Sequence, residues 1–177
     1  YNDRWFNVRL TETLAIARQT RREAVLIFMD LDQFKLINDC HGHLAGSQVL
    51  REVGFILKRI IQRGDATVAR YGGDEFVMIL PETTIEEGLK ICEEIRRSIA
   101  DNTFLSREWG YHMPPLHLGG IISASIGLAQ HIPHPDLRTS IDMEKNELVK
   151  RADAAMYRAK SQGKNQVVVD TVIGAGK

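Results

Sequence analysis

The fifteen residues Ala66-Thr-Val-Ala-Arg-Tyr71-Gly72-Gly73-Asp74-Glu75-Phe76-Val-Met-Ile-Leu80 decide the fold. Ala66–Tyr71 and Phe76–Leu80 read as strands, and the two glycines between them are a strong hairpin signal. A tight hairpin makes the sheet at least partly antiparallel. Upstream, Ala24-Val-Leu-Ile-Phe-Met-Asp30 is a continuous apolar run ending in acid, as expected of a central strand buried on both faces. Ile121–Ala129 and Gln166–Val169 read as further strands. Helices are expected over Asn2–Arg22, over Ala45–Gln62, from a Thr83 or Thr84 cap to about Ala100, and over Asn146–Ser161, stopped by Gly163. Asp101–Leu118 reads as irregular and His131–Asp136 as a proline-broken loop. Interleaved helices and strands predict an α/β (α+β) fold with a central, mostly antiparallel sheet flanked by helices.

Composition narrows the class. With 177 residues, 44% hydrophobic and 26% charged, the chain suits one globular domain over residues 1–177 and excludes disordered, collagen-like or coiled-coil architectures. Twenty-three basic residues balance 23 acidic ones, which argues against a cationic nucleic-acid surface or a polybasic membrane patch. The longest uncharged apolar run, Ala24–Met29, is far too short to span a bilayer. Cys40 and Cys92 form no CxxC pair and suit a reduced, cytoplasmic setting. A start at Tyr1, without methionine, suggests a piece of a longer protein.

The chemistry gathers at strand ends. Asp30 and Asp32 close the first strand, while Asp74 and Glu75 sit at the hairpin tip. If strand and hairpin are neighbours, four carboxylates converge at one sheet edge and need a cation. Oxygen ligands without histidine or thiolate favour Mg²⁺ or Mn²⁺ over zinc. Asp32 reads as an N-cap, leaving the amides of Gln33, Phe34 and Lys35 free to bind phosphate beside that metal, with Lys35 adding charge. No GxxxxGK[ST] occurs, so a P-loop is excluded. Lys160 and Lys164 bracket a helix end, where they suit either phosphate or the helix dipole.

These motifs resemble a known family. Arg70-Tyr-Gly-Gly-Asp-Glu-Phe76 looks like the signature of GGDEF domains, the diguanylate cyclases. Met29-Asp-Leu-Asp-Gln-Phe-Lys-Leu-Ile-Asn-Asp39, with Gly42-His43 and Gly46, resembles its metal- and guanine-binding stretch. Ser123–Gly127, Arg151–Lys160 and Gly163-Lys-Asn165 are similar to its later strand, last helix and turn. The resemblance implies a nucleotidyl cyclase or polymerase-palm-like sheet in an N-terminally clipped domain whose upstream sensory or receiver domain is absent. It implies Asp30, the Leu31 carbonyl and Asp74 as metal ligands, and Asp74, Glu75 and Lys35 as the catalytic set. Lys35, Lys160, Lys164 and the backbone near Phe34 would hold phosphates, and Asn38 the base. Lys164 stands where the family commonly has arginine, so charge is kept but a bidentate grip is lost. The implied reaction joins two nucleotides, with release of pyrophosphate, across two facing domains of a homodimer.

One departure bears on substrate. Ser47 follows Gly46 where family members carry aspartate. A carboxylate accepts from guanine N1–H and N2–H₂ and repels adenine N1, whereas a hydroxyl donates or accepts by rotating. A sub-group, the hybrid promiscuous GGDEF enzymes, carries serine here and makes cyclic GMP-AMP. The leading expectation is therefore a cyclase using GTP and ATP to make cyclic GMP-AMP, with cyclic di-GMP as side product. The alternatives are a strict GTP-specific diguanylate cyclase and an inactive GTP-binding regulatory module. Intact Asp30, Lys35, Asp74 and Glu75 argue against the module. Arg63-Gly-Asp65 has the wrong spacing for the family's Arg-x-x-Asp inhibitory site, so none is expected. None of the histidines has zinc-ligand spacing, which predicts structural or solvated roles. Cys92 falls among apolar helical residues and is expected in the core.

Overall fold

The computed structural model describes residues 3–133 and 139–170. In chain order these form α1 (Asp3–Thr20), β1 (Ala24–Asp32), α2 (Phe34–Ile60), β2 (Thr67–Gly72), β3 (Glu75–Pro81), α3 (Ile85–Ala100), β4 (Thr103–Phe104), β5 (Leu118–Gly119), β6 (Ser123–His131), α4 (Ile141–Ser161) and β7 (Val167–Asp170). Five strands make one sheet in the order β2-β3-β1-β6-β7. All its pairings are antiparallel except β6 with β7, so the sheet is mostly antiparallel, as expected.

β1 is central and buried at all nine positions, because helices cover both faces. Its alternation sorts the core in two. Val25, Ile27, Met29 and Leu31 pack with α2 and α3, whereas Leu26 and Phe28 pack with Phe6, Leu10 and Leu14 of α1 and Leu148, Ala152 and Met156 of α4. Cys92 lies fully buried on α3. α3 begins with a capping box between Thr84 and Glu87, satisfying two amides at the helix start.

Several boundaries differ from expectation. α4 starts five residues earlier than its apolar pattern predicts, where the Ser140 side chain accepts from the Met143 amide. The 101–118 segment carries the two-residue strand β4, the first residue of β5 and a bridge between Trp109 and Met113. His131 ends β6 rather than entering a loop. It is buried, with Nε2 3.0 Å from Glu144 Oε2, and Glu144 takes a 2.6 Å bond from Arg18. The rest of the proposed proline-broken loop, from His134, lies outside the described residues. Among the described residues no helix is long and apolar enough to cross a membrane.

Candidate active site

Register brings the acids together. β1 pairs with β3 from Ala24↔Pro81 to Asp30↔Glu75, so the hairpin turn comes to rest at the end of β1. The Leu31 amide continues the ladder by donating to the Asp74 carbonyl at 3.3 Å. Gly73 takes φ 45°, a conformation cheap only for glycine, and its carbonyl accepts from Arg70 Nε at 2.7 Å. Tyr71, the extra residue at the register shift, sits edge-on to Phe6 and Phe28, which ties the hairpin to α1 and β1.

Asp30 is the electrostatic centre. It is only 5% exposed, and Lys160 Nζ lies 2.7 Å from its Oδ1. Burial raises its pKa, the Lys160 hydrogen bond opposes this, and Asp74 and then Glu75 push it up again; the net shift is upward. A cation at this edge relieves that penalty. Lys160 is delivered by close packing: a Cβ at Gly127 of β6 would overlap Met156 N and Ala152 O, so α4 rests backbone-to-backbone on the strand. Asp30 and Asp74 are oxygen donors on adjoining elements. Among the described residues no three His, Cys, Asp or Glu side chains form a ready cage. Two carboxylates leaving most of the shell to water and phosphate suit Mg²⁺ or Mn²⁺.

Asp32 departs from expectation. It caps no helix: Gln33 holds the N-cap position, with φ 62° and no side-chain cap. The Asp32 carboxylate instead turns inward, 2% exposed, and accepts from Ser123 Oγ (2.7 Å), Ser125 Oγ (2.8 Å) and the Asn165 amide (3.0 Å). The acid quartet is therefore a trio plus a tether. Serines at alternate positions of a strand were the available signal, but only strand order reveals that β6 lies beside β1.

Among the described residues no side chain accepts from the first amides of α2, which start beside exposed Lys35. Gly42 (φ 81°, ψ 164°) then breaks α2 and folds its second stretch back on its first. A Cβ at Gly46 would overlap Asn38 Oδ1 and lie 3.1 Å from Phe34 Cζ. Asn38, Gly46 and Ser47 are thus gathered across that break, with Ser47 exposed. Lys164 is exposed on the turn after α4, with φ 65°. Arg63 is engaged by Asp65 (3.1 Å), Thr83 Oγ1 (2.9 Å) and the Pro81 carbonyl (2.9 Å), at the far end of β3.

Comparison with known proteins matches residues 1–166 to the family described as "Diguanylate cyclase, GGDEF domain". Diguanylate cyclase VdcA of Vibrio cholerae is 33% identical over 168 residues, covering 95% of this chain and 44% of the relative. Diguanylate cyclase DgcM of Escherichia coli is 37% identical over 145 residues, covering 81% of this chain and 30% of the relative. The chain thus spans less than half the length of these relatives. Among solved structures, the GGDEF domain of DgcB from Caulobacter crescentus, in complex with c-di-GMP, is 31% identical with TM-score 0.78, covering 95% of this chain and 90% of that one. The active GGEEF domain of a diguanylate cyclase from Vibrio cholerae is 27% identical with TM-score 0.77, covering 95% and 96%. A family match across nearly the whole chain, on a fold shared with solved GGDEF domains, makes this protein a member of the GGDEF family of diguanylate cyclases.

Proposed function

We propose that the domain condenses two GTP molecules into cyclic di-GMP, releasing pyrophosphate. The observation that carries this reading is the buried Asp30 carboxylate, which faces Asp74 and Glu75 across the hairpin edge with Lys160 as its cation. Family membership supplies the reaction class. Mg²⁺ or Mn²⁺ held by Asp30, the Leu31 carbonyl and Asp74 would neutralise triphosphate charge and lower the pKa of the attacking hydroxyl. The chain's own residues do the rest. Lys35, Lys160, Lys164 and the amides near Phe34 grip phosphate oxygens, and Asn38 orients the base. Glu75 stands by to accept the ribose 3′-hydroxyl proton. That oxygen bonds to the α-phosphorus of the second nucleotide as the bond to pyrophosphate breaks. Each domain holds one nucleotide, so two must face each other, and activity should fall steeply on dilution. No inhibitory product site is expected at Arg63, whose guanidinium is already held within β3's end.

A second reading, mixed condensation of GTP with ATP to cyclic GMP-AMP, is favoured by Ser47. That side chain is exposed beside Gly46, and a hydroxyl tolerates either purine edge. Incubating the purified domain with labelled GTP, ATP or both, plus Mg²⁺, and separating the products tests both readings. Cyclic di-GMP alone from the mixture supports the first reading, while a mixed product that Ser47→Asp suppresses supports the second. No product from any mixture refutes both.

A further inference from the structure

The Asp32 carboxylate lies two residues from Asp30 but accepts from two serine hydroxyls of β6 and a backbone amide. What it holds is the turn after α4. Gly163 (φ 115°), Lys164 (φ 65°) and Asn165 (φ 44°) all take positive φ. Two of these are not glycine, and such residues stay left-handed only where their surroundings over-determine them. The determinants are visible. The Lys164 amide donates to Ala159 O (3.0 Å), closing the helix end. The Asn165 amide donates to Asp32 Oδ2 (3.0 Å) and its side-chain oxygen accepts from Arg96 of α3 (3.1 Å). Gln166 then enters β7, its carbonyl accepting from the Ile126 amide at 3.0 Å. Among the described residues, only the Asp32 bond ties the turn to β1, the strand that carries Asp30.

We propose that Asp32 is a positioning residue for phosphate recognition: by pinning the Asn165 amide it holds the turn that carries Lys164 at the Asp30–Asp74 edge, beside the Lys160 that the packing of α4 delivers. This rests on the reading of Lys160 and Lys164 as phosphate ligands. Ser123 and Ser125 complete the device, since their hydroxyls hold the carboxylate in the rotamer that reaches Asn165. Direct electrostatics points the opposite way. Asp32 is an anion near phosphates, so removing its charge should tighten triphosphate binding if the charge acts directly, and weaken it if the tether matters.

The test measures binding of 3′-deoxy-GTP, which cannot be condensed, and of GMP, with Mg²⁺ and by calorimetry on the full chain. Asp32→Ala and Asp32→Ser both cut the tether, the serine because its hydroxyl is too short to reach Asn165. Each should weaken 3′-deoxy-GTP by about tenfold to a hundredfold, the worth of one charge-assisted contact, and leave GMP within about twofold. Asp32→Asn keeps an oxygen for Asn165 while Ser125 rotates to accept, so it should bind both ligands nearly as wild type. Equal losses for both ligands, tighter triphosphate binding, or an Asp32→Asn variant as defective as Asp32→Ala would each overturn the proposal. So would failure of both cutting variants to fold, which would make the carboxylate purely structural. A Lys160→Met/Lys164→Met double variant separates the layers. If it binds 3′-deoxy-GTP as wild type, the phosphate assignment itself fails; if it binds weakly while Asp32→Ala does not, only the tether fails.

Discussion

Replacing Gly127 with alanine tests how the last helix is set on the sheet. A Cβ at this position would overlap Met156 N and Ala152 O and lie 2.8 Å from the Ala155 carbonyl carbon. All three are backbone atoms in the middle of α4, and a helix backbone has no rotamer to yield. Restoring an ordinary contact of 3.4 Å requires α4 to lift by roughly 0.6 Å for the Ala155 carbon alone, and further for the other two. Overpacking of this kind costs about 1–3 kcal/mol, and here the upper end is expected. For a domain of this size that lowers Tm by about 6–12 °C. Lys160 lies one turn beyond Met156 and moves with the helix, so its 2.7 Å contact with Asp30 should open. A misplacement near 1 Å at a reacting centre costs about a hundredfold in rate. Thermal denaturation followed by circular dichroism and pyrophosphate release from GTP measure the two effects. Gly88→Ala is the control: its Cβ would meet only side-chain methyls of Val25 and Leu128, at 3.1–3.3 Å, which can give way. A Gly127→Ala variant that melts and turns over like wild type would refute the packing argument. One that melts lower but turns over normally would refute the link from α4 to Lys160.

Asp74→Asn should abolish turnover while leaving the melt nearly unchanged, since Asp74 is only half-buried and its backbone bond to Leu31 survives. Gly46→Ala should displace the Asn38 amide and raise the KM for GTP by about tenfold, the worth of one buried hydrogen bond. A normal KM would remove Asn38 from the base site. Glu144→Gln should cost about 1.5–3 kcal/mol in denaturant titration, because it removes the charge from the partly buried partner of Arg18. Burial pushes the Glu144 carboxyl upward, but hydrogen bonds from Arg18 and His131 outweigh it and the net pKa is lowered. Its contribution to stability is therefore full above the ordinary carboxylate pKa and lost as pH falls through the depressed folded value. The acid limb of the stability curve should flatten in Glu144→Gln. An unchanged limb would show that this carboxylate does not govern it.

Much of the fold was legible because its signals are local. Nine apolar or acidic residues in β1, the Gly72-Gly73 hairpin and the Thr84 cap each state their structure within a few positions. The helix start at Ser140 and the strand end at His131 were missed for one reason. Residues 141–145 carry little apolar periodicity, and His131 looks like a loop histidine until Glu144 and Arg18 arrive from two helices. The site divides the same way. Asp74 and Glu75 announce themselves in the hairpin, and Lys35 and Asn38 lie on the segment that follows β1.

Sequence alone determined which residue types could meet: oxygen donors at two strand ends and lysines near two helix ends, in a chain that carries the family signature. Tertiary structure decided what each one faces. Strand order set β6 beside β1 and turned Asp32 from a helix cap into the anchor of a distant turn. Backbone contact at Gly127 brought Lys160 onto Asp30. Both are pairings between residues more than ninety positions apart, and no local pattern encodes such contacts because they exist only once the sheet has closed.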